Sequence, residues 1–167
     1  MDIGGFDLAM INVTLPDGTV NEYAAGITCA EVITDALGKK NGCLAALVDG
    51  QEKDMSHEIH QSCKVEGIKA ESDAGMYILR HSTAHLLAQA VTELYPDAKP
   101  TIGPAIDRGF YYDFAMEPIT EADLKPIQKK MQELARRNFT VERIELDDSE
   151  LREHLSLIHI WRCRRSR

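Results

Sequence analysis

The pattern that most restricts the fold lies near the amino terminus, where Met10-Ile-Asn-Val-Thr-Leu15 alternates apolar and polar side chains with the period of a strand. Pro16-Asp17-Gly18 supplies turn chemistry, and Thr19-Val-Asn-Glu-Tyr23 reads as the returning strand of a hairpin. Thr28 is placed to cap a short helix over Ala30 to Leu37, with Gly38 near its end. Cys43 to Val48 then forms an apolar strand closed by Asp49-Gly50, and Lys64-Val-Glu-Gly-Ile68 supplies a last strand. Strands and one helix within about 60 residues predict a small mixed sheet with a helix laid across it, an α+β arrangement.

A second unit begins at Ser72 or Asp73, either of which can cap a long helix that Pro96 stops just after Tyr95. At 100° per residue, Leu79, Thr83, Leu86, Leu87, Ala90 and Leu94 share one arc, and His81, His85, Ala88 and Thr92 lie opposite. The histidines are therefore expected to point away from a buried leucine stripe, on a shallow face floored by small residues. Gly103-Pro104 breaks the chain before Ala105 to Phe114. Within Gly109-Phe-Tyr-Tyr-Asp-Phe114, strand alternation puts Phe110, Tyr112 and Phe114 on one side and Tyr111 and Asp113 on the other. Such a strand packs a core, or offers a tyrosine hydroxyl beside the histidines. Thr120-Glu-Ala-Asp123 opens another helix to about Arg137, with Glu121 and Lys125 as an i, i+4 pair. Thr140 to Leu146 returns to a strand pattern.

Two histidines four apart share one helix face, and their chemistry admits several readings. A metallohydrolase of the His-Glu-x-x-His kind needs a carboxylate after the first histidine, where this chain has Ser82. A bare pair can hold Zn²⁺ only with one or two further ligands, and no Cys or His at paired spacing stands nearby. The remaining reading is metal-free: a neutral imidazole orienting or deprotonating a water.

Composition narrows the setting. The chain has 167 residues, 44% of them hydrophobic, enough for one or two small soluble domains. No apolar run reaches the roughly 20 residues of a membrane span, and Met1 to Ala9 lack a secretory pattern, so no membrane association and a cytoplasmic setting are expected. Cys29, Cys43, Cys63 and Cys163 are scattered, as isolated packing thiols would be. The tail Leu155-Ser-Leu-Ile-His-Ile-Trp-Arg-Cys-Arg-Arg165 resembles a translated transposase-type sequencing adapter with TGA decoded as tryptophan, so 155–167 is expected to be an artefact; a basic nucleic-acid-binding tail is the rival reading. Without it the net charge moves from −8 to −12, 15 basic against 27 acidic residues, which disfavours any broad grip on a phosphate backbone.

Leu15-Pro-Asp-Gly18 and Val48-Asp-Gly50 resemble a TGS domain, a ubiquitin-like β-grasp module found in threonyl-tRNA synthetases, certain GTPases and stringent-response enzymes. His-Ser-Thr-Ala-His-Leu-Leu-Ala at 81–88, Ile-Gly-Pro at 102–104 and Gly-Phe-Tyr-Tyr-Asp-Phe at 109–114 resemble the editing domain of threonyl-tRNA synthetases, which follows the TGS module in that family. The resemblance implies a TGS domain over 10–68 and the first, incomplete part of an α+β editing domain over 72–154. It implies that His81 and His85 match the editing histidines and Tyr112 the pocket tyrosine, acting on serine esterified to the 3′ end of threonine tRNA. It assigns no metal to this region. ATP, Mg²⁺ and Zn²⁺, with a homodimer interface, are implied for a catalytic domain outside this chain. The family's downstream Cys-x-Gly-Pro-His segment is also missing, so this stretch alone is expected not to aminoacylate tRNA. A TGS-bearing regulatory protein and a zinc-dependent relative of alanyl-tRNA editing hydrolases are the alternatives.

Overall fold

The computed structural model describes residues 9–139, 144 and 146–150. The described residues fall into two compact units, divided between Leu79 and Arg80. The expected adapter-like segment, Cys163 and most of the 140–146 strand pattern lie outside the described residues.

The first unit is built on the predicted hairpin. Strands β1 (Met10–Thr14) and β2 (Val20–Ala24) pair antiparallel from Met10 opposite Ala24 to Thr14 opposite Val20. Gly18 takes a φ of 86° in the turn, and the Asp17 carboxylate accepts from the Thr19 amide. A short strand β3 (Ile27–Thr28) leads into helix α1 (Cys29–Leu37). Thr28 and Glu31 form a reciprocal capping box: the Glu31 amide donates to Thr28 Oγ1, and the Thr28 amide donates to the Glu31 carboxylate. Gly38 ends the helix as expected.

Strands β4 (Cys43–Val48) and β5 (Gln51–Lys53) form a second hairpin around Asp49-Gly50, where both residues have positive φ, 48° and 78°. Asp49 also reaches out of the turn: its Oδ1 accepts from the Lys64 amide at 2.8 Å and its own amide donates to the Lys64 carbonyl at 2.9 Å. That pair fixes where β7 (Cys63–Lys69) enters the sheet, after the short β6 (Glu58–Ile59) that pairs with β3.

The five-stranded order is β2-β1-β7-β4-β5, with β1 and β7 parallel at the centre. The first and last long strands of the unit are thus neighbours, and α1 supplies the cover. Alternation turns Ile11, Val13, Ala46 and Val65 onto one face, where they meet Cys29, Val32 and Ile33 of the helix and Ile59. This is the expected mixed sheet with one helix across it. Cys29, Cys43 and Cys63 are free thiols, and burial pushes each above its ordinary pKa.

Helix α2 (Asp73–Leu94) starts where predicted, with the Ser72 hydroxyl accepting from the Gly75 amide. Gly75 is required for close approach, since a side chain there would overlap the Lys69 carbonyl. The second unit continues with β8 (Lys99–Pro100), β9 (Ala105–Ile106), β10 (Gly109–Phe110) and β11 (Phe114–Ala115), then helix α3 (Glu121–Arg137). The aromatic segment is not the single strand that alternation suggested. β10 pairs with β9, β11 pairs with β8, and residues 111–113 between them are outside either strand. The in-out alternation nevertheless persists, with Tyr112 and Phe114 half-buried and Tyr111 and Asp113 exposed.

Val91, Ala98 and Ile127 form the core here, with Leu87, Tyr95, Phe114, Met116 and Met131 packed against it. Polar ties flank this core. Lys130 bridges to Glu93 at 2.8 Å, and Tyr95 donates to Asp123 Oδ1 at 2.7 Å while the other oxygen of Asp123 caps α3 at Thr120.

Val13 is fully buried and Val20 is 57% exposed on the same hairpin. Val13→Ala is expected to lower the unfolding free energy by about 2 kcal/mol, through lost burial plus a residual cavity. Val20→Ala should change it by less than about 0.5 kcal/mol. Denaturant unfolding of the two variants checks this, and equal costs would contradict the assigned core face.

Candidate functional site

The register of α2 decides where the histidines stand. The leucine stripe was expected to be its buried side, and it is so in part: Ala90 is buried and Leu87 packs on the core, but Leu79 and Leu94 are 44% and 37% exposed, whereas Ala84, Ala88 and Val91 outside the stripe are buried. The reason is steric: small side chains let a helix backbone approach its neighbours closely, so the face rich in alanine goes inward although leucine is more hydrophobic. Ala84 follows His81 by three residues, and Ala88 follows His85 by three, so each imidazole borders the buried face instead of lying opposite it. His81 is half-buried and His85 is the more exposed of the two.

The structure brings the two rings together. Their Nε2 atoms are 3.1 Å apart, with centroids 4.6 Å apart and ring planes at 79°. At that separation one nitrogen carries the proton and the other accepts it. Burial first, and the positive charge of a protonated His81 second, lower the pKa of His85 below its ordinary 6.5. Near neutral pH the pair therefore retains a basic ring nitrogen able to take a proton from water, the property required of a general base.

Tyr112 is placed differently. Its ring stacks on Phe114, with centroids 4.7 Å apart and planes at 26°, and its hydroxyl is buried. The other face of the segment is held by Thr101 and Ile102: the Thr101 amide donates to the Asp113 carbonyl, and the Asp113 amide donates to the Ile102 carbonyl. Phe114 in turn packs against the core that includes Leu87 and Val91 of α2. Tyr112 is thus set by packing, with its hydroxyl turned inside, so in this seat the half-buried residue meets a ligand through its ring and not through its hydroxyl.

Two contacts in this unit were not anticipated from the sequence. Arg80 donates from Nη1 to the Ile106 carbonyl at 3.4 Å, linking the turn of α2 just before His81 to the β9–β10 hairpin. Gly103 lies directly under the Tyr112 ring. The Arg80 contact carries no signal in the sequence, whereas the glycine of Ile-Gly-Pro was visible as a break without its packing role. Among the described residues, no three His, Cys, Asp or Glu side chains gather as a metal site, and no helix is long and apolar enough to cross a membrane.

Because the folded chain holds His85 below its ordinary pKa, the unfolded chain binds its proton first as pH falls through 6.5. Stability from this group is therefore retained above that value and lost below it. An NMR titration should place the His85 midpoint below 6.5, and His81→Ala should raise it only part of the way, since burial is the larger cause. A His85 midpoint at or above the ordinary value would contradict the packing described for the pair.

Comparison with known proteins adds the lineage. Residues 11–69 match the family model described as the TGS domain. Threonine--tRNA ligase of Alkalilimnicola ehrlichii is 48% identical over 141 residues, which is 83% of this chain and 22% of that protein. The ligases of Francisella tularensis subsp. tularensis strain WY96-3418 and subsp. holarctica strain OSU18 are each 47% identical over 136 residues, 79% of this chain and 21% of theirs. The chain spans about a fifth of the length of the curated relatives it matches. It carries a TGS domain and is similar, over about four-fifths of its length, to the amino-terminal region of threonine--tRNA ligases.

Proposed function

We propose that this chain provides, within a cytoplasmic threonine--tRNA ligase, the TGS module and part of a site that hydrolyses serine from mischarged threonine tRNA. The observation that carries the reading is the coupled imidazole pair, Nε2 to Nε2 at 3.1 Å on the partly buried face of α2. Serine lacks one methyl group of threonine, a difference worth only about 1–3 kcal/mol in binding, so a synthetic site admits it too often. A second site that removes the error answers that limit.

In this proposal the 3′ end of the tRNA presents the seryl ester to the pair. His81 and His85 activate water or contact the ribose, and Tyr112 positions the substrate. Water adds to the ester carbonyl and gives up a proton to the imidazole pair; as the carbon–oxygen bond to the ribose breaks, the pair hands that proton to the departing ribose oxygen, releasing serine and a free hydroxyl on the tRNA. The lowered basicity of His85 favours this return of the proton, and the pair ends in its starting state. ATP, Mg²⁺ and Zn²⁺, together with a homodimer interface, belong to aminoacylation by residues outside this chain. The donor set for those ions is not assembled among the described residues.

The test uses the full-length gene product, seryl-tRNA and threonyl-tRNA, with hydrolysis followed by release of the amino acid. His81→Ala and His85→Ala should each slow deacylation of seryl-tRNA by roughly a hundredfold or more while leaving aminoacylation with threonine intact. Unchanged deacylation in both variants would overturn the reading.

A further inference from the structure

The packing around Tyr112 points to a positioning residue that the histidine motif does not reveal. A methyl group built on Gly103 would overlap Cδ2 and Cε2 of the Tyr112 ring, and even Cγ would stand only 2.8 Å away. Distances that short are far inside van der Waals contact, so the ring occupies the space that any side chain at 103 would need. The left-handed region that favours glycine is not involved, since Gly103 is absent from the positive-φ glycines. The three atoms nearest to such a methyl all belong to the Tyr112 ring.

The ring also stacks on Phe114, and Phe114 packs into the core with Leu87 and Val91 of the helix that carries the histidines. The strand register prevents the segment from sliding, since Asp113 is held between the Thr101 amide and the Ile102 carbonyl, and the Thr101 hydroxyl also donates to the Asp113 carbonyl. Tyr112 is therefore packed against both the Gly103 backbone and the Phe114 ring.

We propose that Gly103 is a positioning residue for ester hydrolysis, acting by admitting the Tyr112 ring to the slot against Phe114. The proposal rests on the reading of Tyr112 as a residue that positions the substrate. Adding one methyl at 103 displaces the ring by more than an ångström, and a shift of that size in a positioning group lowers the rate by tenfold to about a hundredfold. A purely structural role would instead lower stability and leave KM and kcat of the folded fraction alone.

A double-mutant cycle on the full-length gene product separates these outcomes, using Gly103→Ala, Tyr112→Ala and the pair together, with melting temperature recorded for each. Gly103→Ala alone should raise KM for seryl-tRNA or lower kcat by at least tenfold in protein that remains folded, and should change the aromatic ring signals of Tyr112 and Phe114 in NMR spectra. In the Tyr112→Ala background the same glycine change should cost less than about twofold, because the ring it collides with is gone. Additive losses, or a Gly103→Ala enzyme with unaltered KM and kcat, would overturn the proposal. Full hydrolysis by Tyr112→Ala would instead reject the parent reading of Tyr112, with His81→Ala as the control that reports on the site as a whole.

Discussion

Only one proton fits between the facing Nε2 atoms of His81 and His85, and the chemistry of the second unit depends on that restriction. With their nitrogens 3.1 Å apart, one ring donates and the other accepts. A second proton would leave two donors facing each other and two positive charges in contact. Partial burial works in the same direction by lowering the His85 pKa. The pair thus holds a basic nitrogen at neutral pH, and Ser82 stands where a His-Glu-x-x-His site has its acid.

That contact in turn depends on how α2 packs. Ala84, Ala88 and Val91 turn inward, and the histidines sit on the border of this close-packed face. Farther along the helix, Val91 enters the core with Ala98 and Ile127, Glu93 engages Lys130, and Tyr95 reaches Asp123. Asp123 has two tasks, capping α3 through Thr120 and receiving the Tyr95 hydroxyl, so the end of one helix and the start of the other are held by the same carboxylate. Partly exposed polar contacts of this kind stabilise little individually, and the apolar contacts of Val91 and Ile127 dominate. The histidine pair is therefore carried on an element whose following turns are anchored.

Local chemistry was legible in the sequence wherever a few neighbouring residues determine it. Thr28 with Glu31, Thr120 with Asp123, and the Asp49-Gly50 turn each encode their geometry within four residues, and each is realised. β3, β5 and β6 were not read, because segments of two or three residues are too short to show a period and exist through pairing with distant partners. The aromatic segment 109–114 showed its alternation but not its division, which follows from the chain break at Gly103-Pro104. The buried face of α2 is rotated from the expected leucine stripe, keeping Ala90 and Leu87 but adding Ala84, Ala88 and Val91, because a helical wheel weights leucine over alanine whereas close packing favours the small face. The histidine pairing was visible from i, i+4 spacing; the seat of Tyr112 on Gly103 depends on a contact nine residues away and left no periodic trace.

The most direct test of this account is the protonation state of each imidazole nitrogen, read by long-range nitrogen–proton correlation NMR on the folded protein at a pH above the His85 midpoint. The account predicts complementary tautomers, one ring bearing its proton on Nε2 and the other on Nδ1, with the bare Nε2 showing the shift of a hydrogen-bond acceptor. Two rings in the same tautomer, each behaving as a solvated histidine, would contradict it.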